Sequence, residues 1–287
     1  MRLYHSAIVA LMLTTLALPC LAADAAAGKR DDSAAEKLGF KLSLQCWTLR
    51  RLALFEAIDK AAGLGIKYLE MYPDQRLKPG SNVTITSNMS EEVCNEIKKK
   101  LADAGGLKVV AFGVDAVPTD ENGARKTFEW AKKMGIEVLV TETVPNEVHD
   151  KLCTEYNIKM ALHNHPESWP PDKVLAACKD RCKLIGGCPD TGHWMRANHA
   201  PIDTLKKMEG RIMHLHFKDL DQSGSKGNDV PWGTGTGDAK GMMQELKRQG
   251  YQGYFSIEYE RGNLADLAKS LPLCVEFFDK TAAELAK

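Results

Sequence analysis

Between residues 42 and 259, short apolar β-rich runs alternate eight times with helical patterns. The runs cover 42–49, 68–72, 107–114, 138–143, 159–163, 184–188, 212–217 and 254–259, the sixth being weak and glycine-containing. The helices between and after them are expected at 54–64, 91–104, 122–134, 146–156, from Pro170-Pro171 to 182, at 202–208, 239–249 and from about 264. Ser90 is placed to cap one helix, and Gly65 and Gly135 to end two others. Strict strand–helix alternation requires a mainly parallel sheet. Eight units in one domain-length chain favour a closed α/β barrel, the (β/α)8 or TIM barrel, as a single domain over 41–287. An open Rossmann-like sheet is the alternative, but no Gly-x-Gly-x-x-Gly follows the first run.

The N-terminus reads as a secretory signal peptide over 1–23. One Arg precedes a stretch of twelve almost wholly apolar residues, and Pro19-Cys-Leu-Ala-Ala23 supplies the small residues of a cleavage site. The stretch is too short to span a bilayer, which leaves an exported, periplasmic or extracellular protein with no membrane contact after cleavage. Residues 24–40 read as a flexible leader. Cleavage removes Arg2 and no acid from 38 basic and 38 acidic residues, so the formal charge becomes −1. That gives no basis for nucleic-acid binding, which needs clustered cations. Seven of the eight cysteines remain; Cys178, Cys182 and Cys188 are read either as buried thiols or as holding one local disulfide.

Active sites of such barrels lie at the C-terminal ends of the strands, and polar residues gather there. Glu70 closes the second run, Asp115 the third, Glu142 the fourth, His163 and His165 the fifth, Asp190 and His193 the sixth. His214 and His216 close the seventh, Glu258 and Glu260 the eighth. Two-residue spacing puts His163 with His165, His214 with His216, and Glu258 with Glu260 on common strand faces. Carboxylate oxygens together with imidazoles suit one divalent cation, Mn²⁺, Co²⁺, Zn²⁺ or Mg²⁺.

The segments Ala161-Leu-His-Asn-His-Pro166, Pro189-Asp-Thr-Gly-His-Trp194, His214-Leu-His-Phe-Lys-Asp219, Val230-Pro-Trp-Gly-Thr-Gly235 and Ser256-Ile-Glu-Tyr-Glu260 resemble the xylose isomerase-like TIM barrels, in the branch called sugar phosphate isomerase/epimerase. The resemblance implies one metal held by Asp190, His216 and Glu258. It departs at the fifth strand, where epimerase relatives carry a glutamate and this chain has His163-Asn164-His165; His165 is favoured as the further ligand, with Glu142 as ligand or base. Glu142 and Glu258 are the expected proton-transfer carboxylates. His193 is expected beside a ligand or a substrate hydroxyl, and Lys218 on a substrate oxygen or in a salt bridge to Asp219. Glu70, His163 and His214 are read as substrate-facing or orienting groups. Trp47 and Trp194 are read as an apolar wall for a sugar ring or as packing.

The chemistry implied is removal of the proton α to a carbonyl, giving an enediolate that a metal stabilises. Reprotonation elsewhere isomerises or epimerises a sugar, and expulsion of a β-substituent would make the chain a 3-keto-glycoside lyase. A non-catalytic sugar-binding barrel and a metal-dependent nuclease are the other classes, the latter disfavoured by the charge. Export and the lack of a phosphate loop or basic cluster at the strand ends point to an unphosphorylated sugar or keto-sugar. Gly233-Thr-Gly-Thr-Gly237 reads as a mobile loop over the barrel mouth rather than a nucleotide signature.

Overall fold

The computed structural model describes residues 30–287; the expected signal peptide and residues 24–29 lie outside the described residues. Eight parallel strands form the barrel wall: β1 (Phe40–Gln45), β2 (Tyr68–Met71), β3 (Lys108–Phe112), β4 (Val138–Thr141), β5 (Lys159–His163), β6 (Ile185–Cys188), β7 (Leu215–Phe217) and β8 (Gly253–Ile257). Hydrogen-bonded pairing runs β6-β5-β4-β3-β2-β1-β8-β7. The seam between β6 and β7 is closed by parallel bridges Gly187 to Ile212 and Asp190 to His216, with Met213 N donating to Gly187 O at 2.8 Å. A Cβ on Gly186 would stand 2.3 Å from the Arg211 carbonyl oxygen, so the glycine that makes the sixth run look weak is what lets the seam close.

The apolar core lies mainly between strands and helices. Met160, Leu162, Leu215, Phe217, Phe255 and Ile257 face outward into it. The intervening residues face the barrel axis, where a small apolar layer that includes Val138, Val140, Ala161 and Met213 fills the interior. The expected helices form close to their expected bounds. Ser90 caps Glu91–Asp103 through Val93 N, and Gly135 ends Glu121–Met134 in the left-handed conformation.

Four features differ from the sequence reading. The helix after Pro170 ends at Cys178, not 182. Residues Ser33–Leu38 of the supposed leader are helical and buried at Ala35, and Arg30 grips Asp279 of the last helix, Leu264–Leu285, through both carboxylate oxygens. One buried position in six residues leaves no period to detect. Thr191–Arg196 forms a short helix, and Asp219–Leu220 pairs antiparallel with Asp229–Val230. All seven described cysteines are free thiols. Among the described residues, no helix is long and apolar enough to cross a membrane.

Candidate active site

A cavity of about 370 Å³ opens at the C-terminal ends of the strands, walled by Trp47, Tyr72, Glu142, His165, His193 and Glu260, with His163 and Glu258 also in its lining. Strand pleating builds the floor in layers. His214, His216 and Lys218 rise along one face of the β7 segment, with Ser256 and Glu258 beside them on β8.

The lowest layer is the Glu70 carboxylate, fully buried. His214 Nε2 lies 2.7 Å and Ser256 Oγ 3.0 Å from Oε2, and His216 Nε2 lies 2.9 Å from Oε1. Burial alone would raise the Glu70 pKa, but the two imidazoles outweigh it and hold it well below the usual carboxylate range. An ionised carboxylate only accepts, so His216 donates from Nε2 and turns Nδ1 upward; burial opposes a charge on this ring, but Cys188, Glu70 and Glu258 outweigh it and hold its pKa well above the usual imidazole value. That Nδ1 stands 3.1 Å from Glu258 Oε2. The pair is buried and neither atom makes a hydrogen bond of good geometry, although Lys218 Nζ stands 2.8 Å from the same Glu258 oxygen.

Around this pair, one atom from each of His163, Asp190, His216 and Glu258 lies within 4.8 Å of the others. Both ring nitrogens of His163 are buried without a hydrogen-bond partner, and its Nε2 is 3.6 Å from Asp190 Oδ2, beyond bonding distance. Burial lowers its pKa, leaving a neutral ring with a lone pair to give. Orphaned imidazole nitrogens and carboxylate oxygens at this spacing fit a divalent cation. Lys218 already supplies one positive charge, its Nζ lying 2.7 Å from Asp190, 2.8 Å from Glu258 and 2.9 Å from Glu260. Burial opposes that charge, but the three carboxylates outweigh it and hold the lysine pKa well above its usual value.

The sequence motifs acquire reasons here. Asp190 works at both ends: Oδ1 accepts from His193 N at 2.7 Å as a helix cap, while Oδ2 faces Lys218 and His163. Thr191 Oγ1 donates to Lys218 O and accepts from Lys218 N, pinning the turn after β6 to β7. Gly192 is needed because a Cβ there would meet the Lys218 side chain at 2.7 Å. Asn164 exchanges hydrogen bonds with the Asp190 backbone and locks the end of β5 to that of β6.

Several expected roles change with placement. Lys218 pairs with the three carboxylates rather than with Asp219, which is held by Gly233, Gly235 and Gly237 N at 2.9 to 3.0 Å; the glycine-rich loop clamps an internal carboxylate. Trp194 is 2% exposed and lies outside the cavity lining, whereas Trp47 is 40% exposed and meets Tyr72 edge-on at 5.1 Å. Glu70 and His214 are sealed under the floor, away from substrate. His163, not His165, completes the buried set; His165 joins Glu142 and His163 in a second cluster at the rim. Glu142 Oε1 accepts from Ser168 Oγ at 2.6 Å and lies 2.9 Å from His165 Nδ1, which leaves Oε2 free.

Arg196 and Asp229 escaped the sequence reading. Arg196 donates to Glu260 at 2.7 Å and Asp229 at 2.9 Å, and its Nη1 faces His193 Nδ1 at 3.3 Å. Since arginine only donates, His193 carries its proton on Nε2, and burial pushes its pKa down to about 3, so it stays neutral. Only the helical position of Arg196, three residues after His193, hinted at this.

The model of the xylose isomerase-like TIM barrel family matches residues 58–275. The chain belongs to that family. A solved structure of a Parabacteroides distasonis protein without an assigned function is 32% identical, with a TM-score of 0.67, covering 84% of this chain and 99% of that one. SgbU of Escherichia coli, provisionally assigned as an L-ribulose-5-phosphate 3-epimerase, is 26% identical over 227 residues, 76% of this chain and 74% of SgbU. A Methanocaldococcus jannaschii protein, MJ1311, is 27% identical over 146 residues, so this chain spans about half of that relative, 48%.

Proposed function

We propose that the chain is a divalent-metal-dependent isomerase or epimerase of an unphosphorylated sugar or keto-sugar, working in an exported compartment. The observation that carries this is the buried set His163, Asp190, His216 and Glu258, whose candidate ligand atoms lie within 4.8 Å of one another and in which both His163 ring nitrogens lack a hydrogen-bond partner. Family membership and the epimerase assignment of SgbU support the reaction class. A metal bound there would polarise a substrate carbonyl and stabilise negative charge on its oxygen.

The chain's own groups supply the rest. Glu142 is kept ionised: burial would raise its pKa, but Ser168 and His165 outweigh that and lower it. Its free oxygen stands in the cavity wall as the base that takes the proton α to the carbonyl. His193, neutral with Nε2–H, donates to a substrate oxygen. Trp47 and Tyr72 offer the apolar face of the ring an aromatic wall.

The test is elemental analysis of the purified chain beside Asp190→Ala and His216→Ala, each assayed on a panel of free ketoses and 3-keto-glycosides and followed by solvent-deuterium incorporation. About one equivalent of metal in the parent, lost with activity in both variants, is expected for this four-ligand set. A folded, sugar-binding but metal-free parent that exchanges no proton would end the enzymatic reading.

A further inference from the structure

Next to the substrate cavity lies a second one of about 390 Å³ that shares His193 and Glu260 with it and is otherwise walled by Arg50, Arg51, Arg196, Arg261 and Gly262. These arginines come from the β1 loop, the short helix after β6 and the β8 loop, and contradict the expectation that no basic cluster would form at the strand ends. Arg196 is spent, its charge divided between Glu260 and Asp229. The other three donate only to neutral acceptors: Arg50 to Trp47 O and Glu260 O, Arg51 to Gly262 O, and Arg261 to Asn228 Oδ1. Among the described residues, none of these three guanidinium groups pairs with a carboxylate within 4.0 Å; only the backbone N of Arg261 reaches one, Asp229 Oδ2 at 3.2 Å. Each guanidinium carries five N–H donors, so most remain unused. Arg50 also lies 5.2 Å over the ring of Trp47, which ties this wall to the aromatic wall of the main cavity.

We propose that this arginine-lined annex binds an anionic group of the substrate itself, a carboxylate or a phosphate monoester, while the neutral part of the sugar lies in the main cavity. Three unpaired cations beside the chemistry repel one another, and an oxyanion relieves that repulsion through paired N–H donors. The shared walls put the anion and the reacting carbons on one molecule. The proposal rests on the sugar reading above and narrows its substrate to an anionic sugar: a sugar acid within that reading, or a sugar phosphate in place of its unphosphorylated substrate.

Calorimetric titration of the metal-loaded full chain with D-glucuronate, D-glucose, D-glucose 6-phosphate and inorganic phosphate tests it, with Arg51→Gln/Arg261→Gln as the variant. Both residues are exposed, and a thermal melt checks that the variant is folded. A charged sugar is expected to bind about tenfold or more tightly than D-glucose, as one charge-assisted contact would give, and the variant is expected to lose that margin. A larger margin for D-glucuronate assigns carboxylates. A larger one for D-glucose 6-phosphate assigns phosphate esters and removes the unphosphorylated restriction. Equal binding of charged and neutral sugars, a margin unchanged in the variant, or inorganic phosphate binding as tightly as the charged sugar overturns the proposal. Proton exchange measured in parallel separates the two readings: no anion margin with exchange intact removes the annex alone, and a margin without exchange removes the catalytic reading alone.

Discussion

At the scale of single residues, depth separates the buried His163 from the exposed His165 two positions on. Asp190, His216 and Glu258 were legible because a motif fixes their positions and a period-two strand fixes their direction. His163 and His165 were not separable, since both share one face and only the barrel's taper decides which is sealed. The two histidines therefore make a clean contrast. His163→Ala is expected to abolish stoichiometric metal binding, whereas His165→Ala is expected to keep it and lower kcat by disturbing Glu142; inductively coupled plasma analysis of both variants decides the fourth ligand. Beneath them, Glu70→Gln replaces an acceptor-only group with an amide that must present N–H to one of two imidazoles that already donate to it. A loss of about 10–100-fold in metal affinity is expected from this misoriented support, read by competition with a chromogenic chelator. Unchanged affinity would mean that His216 needs no such orientation.

At the scale of elements, what the sequence missed was short or held by tertiary contacts: the six-residue helix Thr191–Arg196, the paired Asp219–Leu220 and Asp229–Val230, and the Ser33–Leu38 helix under the last helix. The long amphipathic helices were legible because three or more turns repeat the pattern. One capping box uses a histidine. His149 is the third residue of the helix Glu147–Tyr156, with Nδ1 accepting from Asn146 N at 3.0 Å and Nε2 2.9 Å from Pro118 O, so it must be neutral to serve. Burial lowers its pKa below 6.5 in the fold. The unfolded chain then binds the extra proton as pH falls through about 6.5, and stability drops with it. Stability measured by urea denaturation at pH 7.5 and 5.0 is expected to fall less in His149→Gln than in the parent, because the variant has no proton to gain there. An identical decline in both proteins would exclude this histidine as a source of the pH dependence.

At the scale of the whole molecule, the barrel was legible from eight alternations, while the closure of its seam was not, because β6 and β7 meet through isolated bridges rather than a ladder. Metal removal is expected to be felt globally, since the ligand set spans four strands. Chelation should lower Tm by about 5–10 °C relative to protein at 100 times the metal Kd, from about 2.7 kcal/mol of linkage at about 2–4 °C per kcal/mol for a chain of this size. Calorimetry with and without chelator measures it, and the Asp190→Ala variant should show no such difference. The three-residue strand β7 sets a further condition on the family to which this chain belongs. His214, His216 and Lys218 are graduations on a ruler whose unit is two residues, so gaining or losing one residue between 214 and 218 would turn at least one of them away from the other two. Homologues should therefore differ in length freely across 221–228, in the loop between the two short strands, and hardly at all across 214–218.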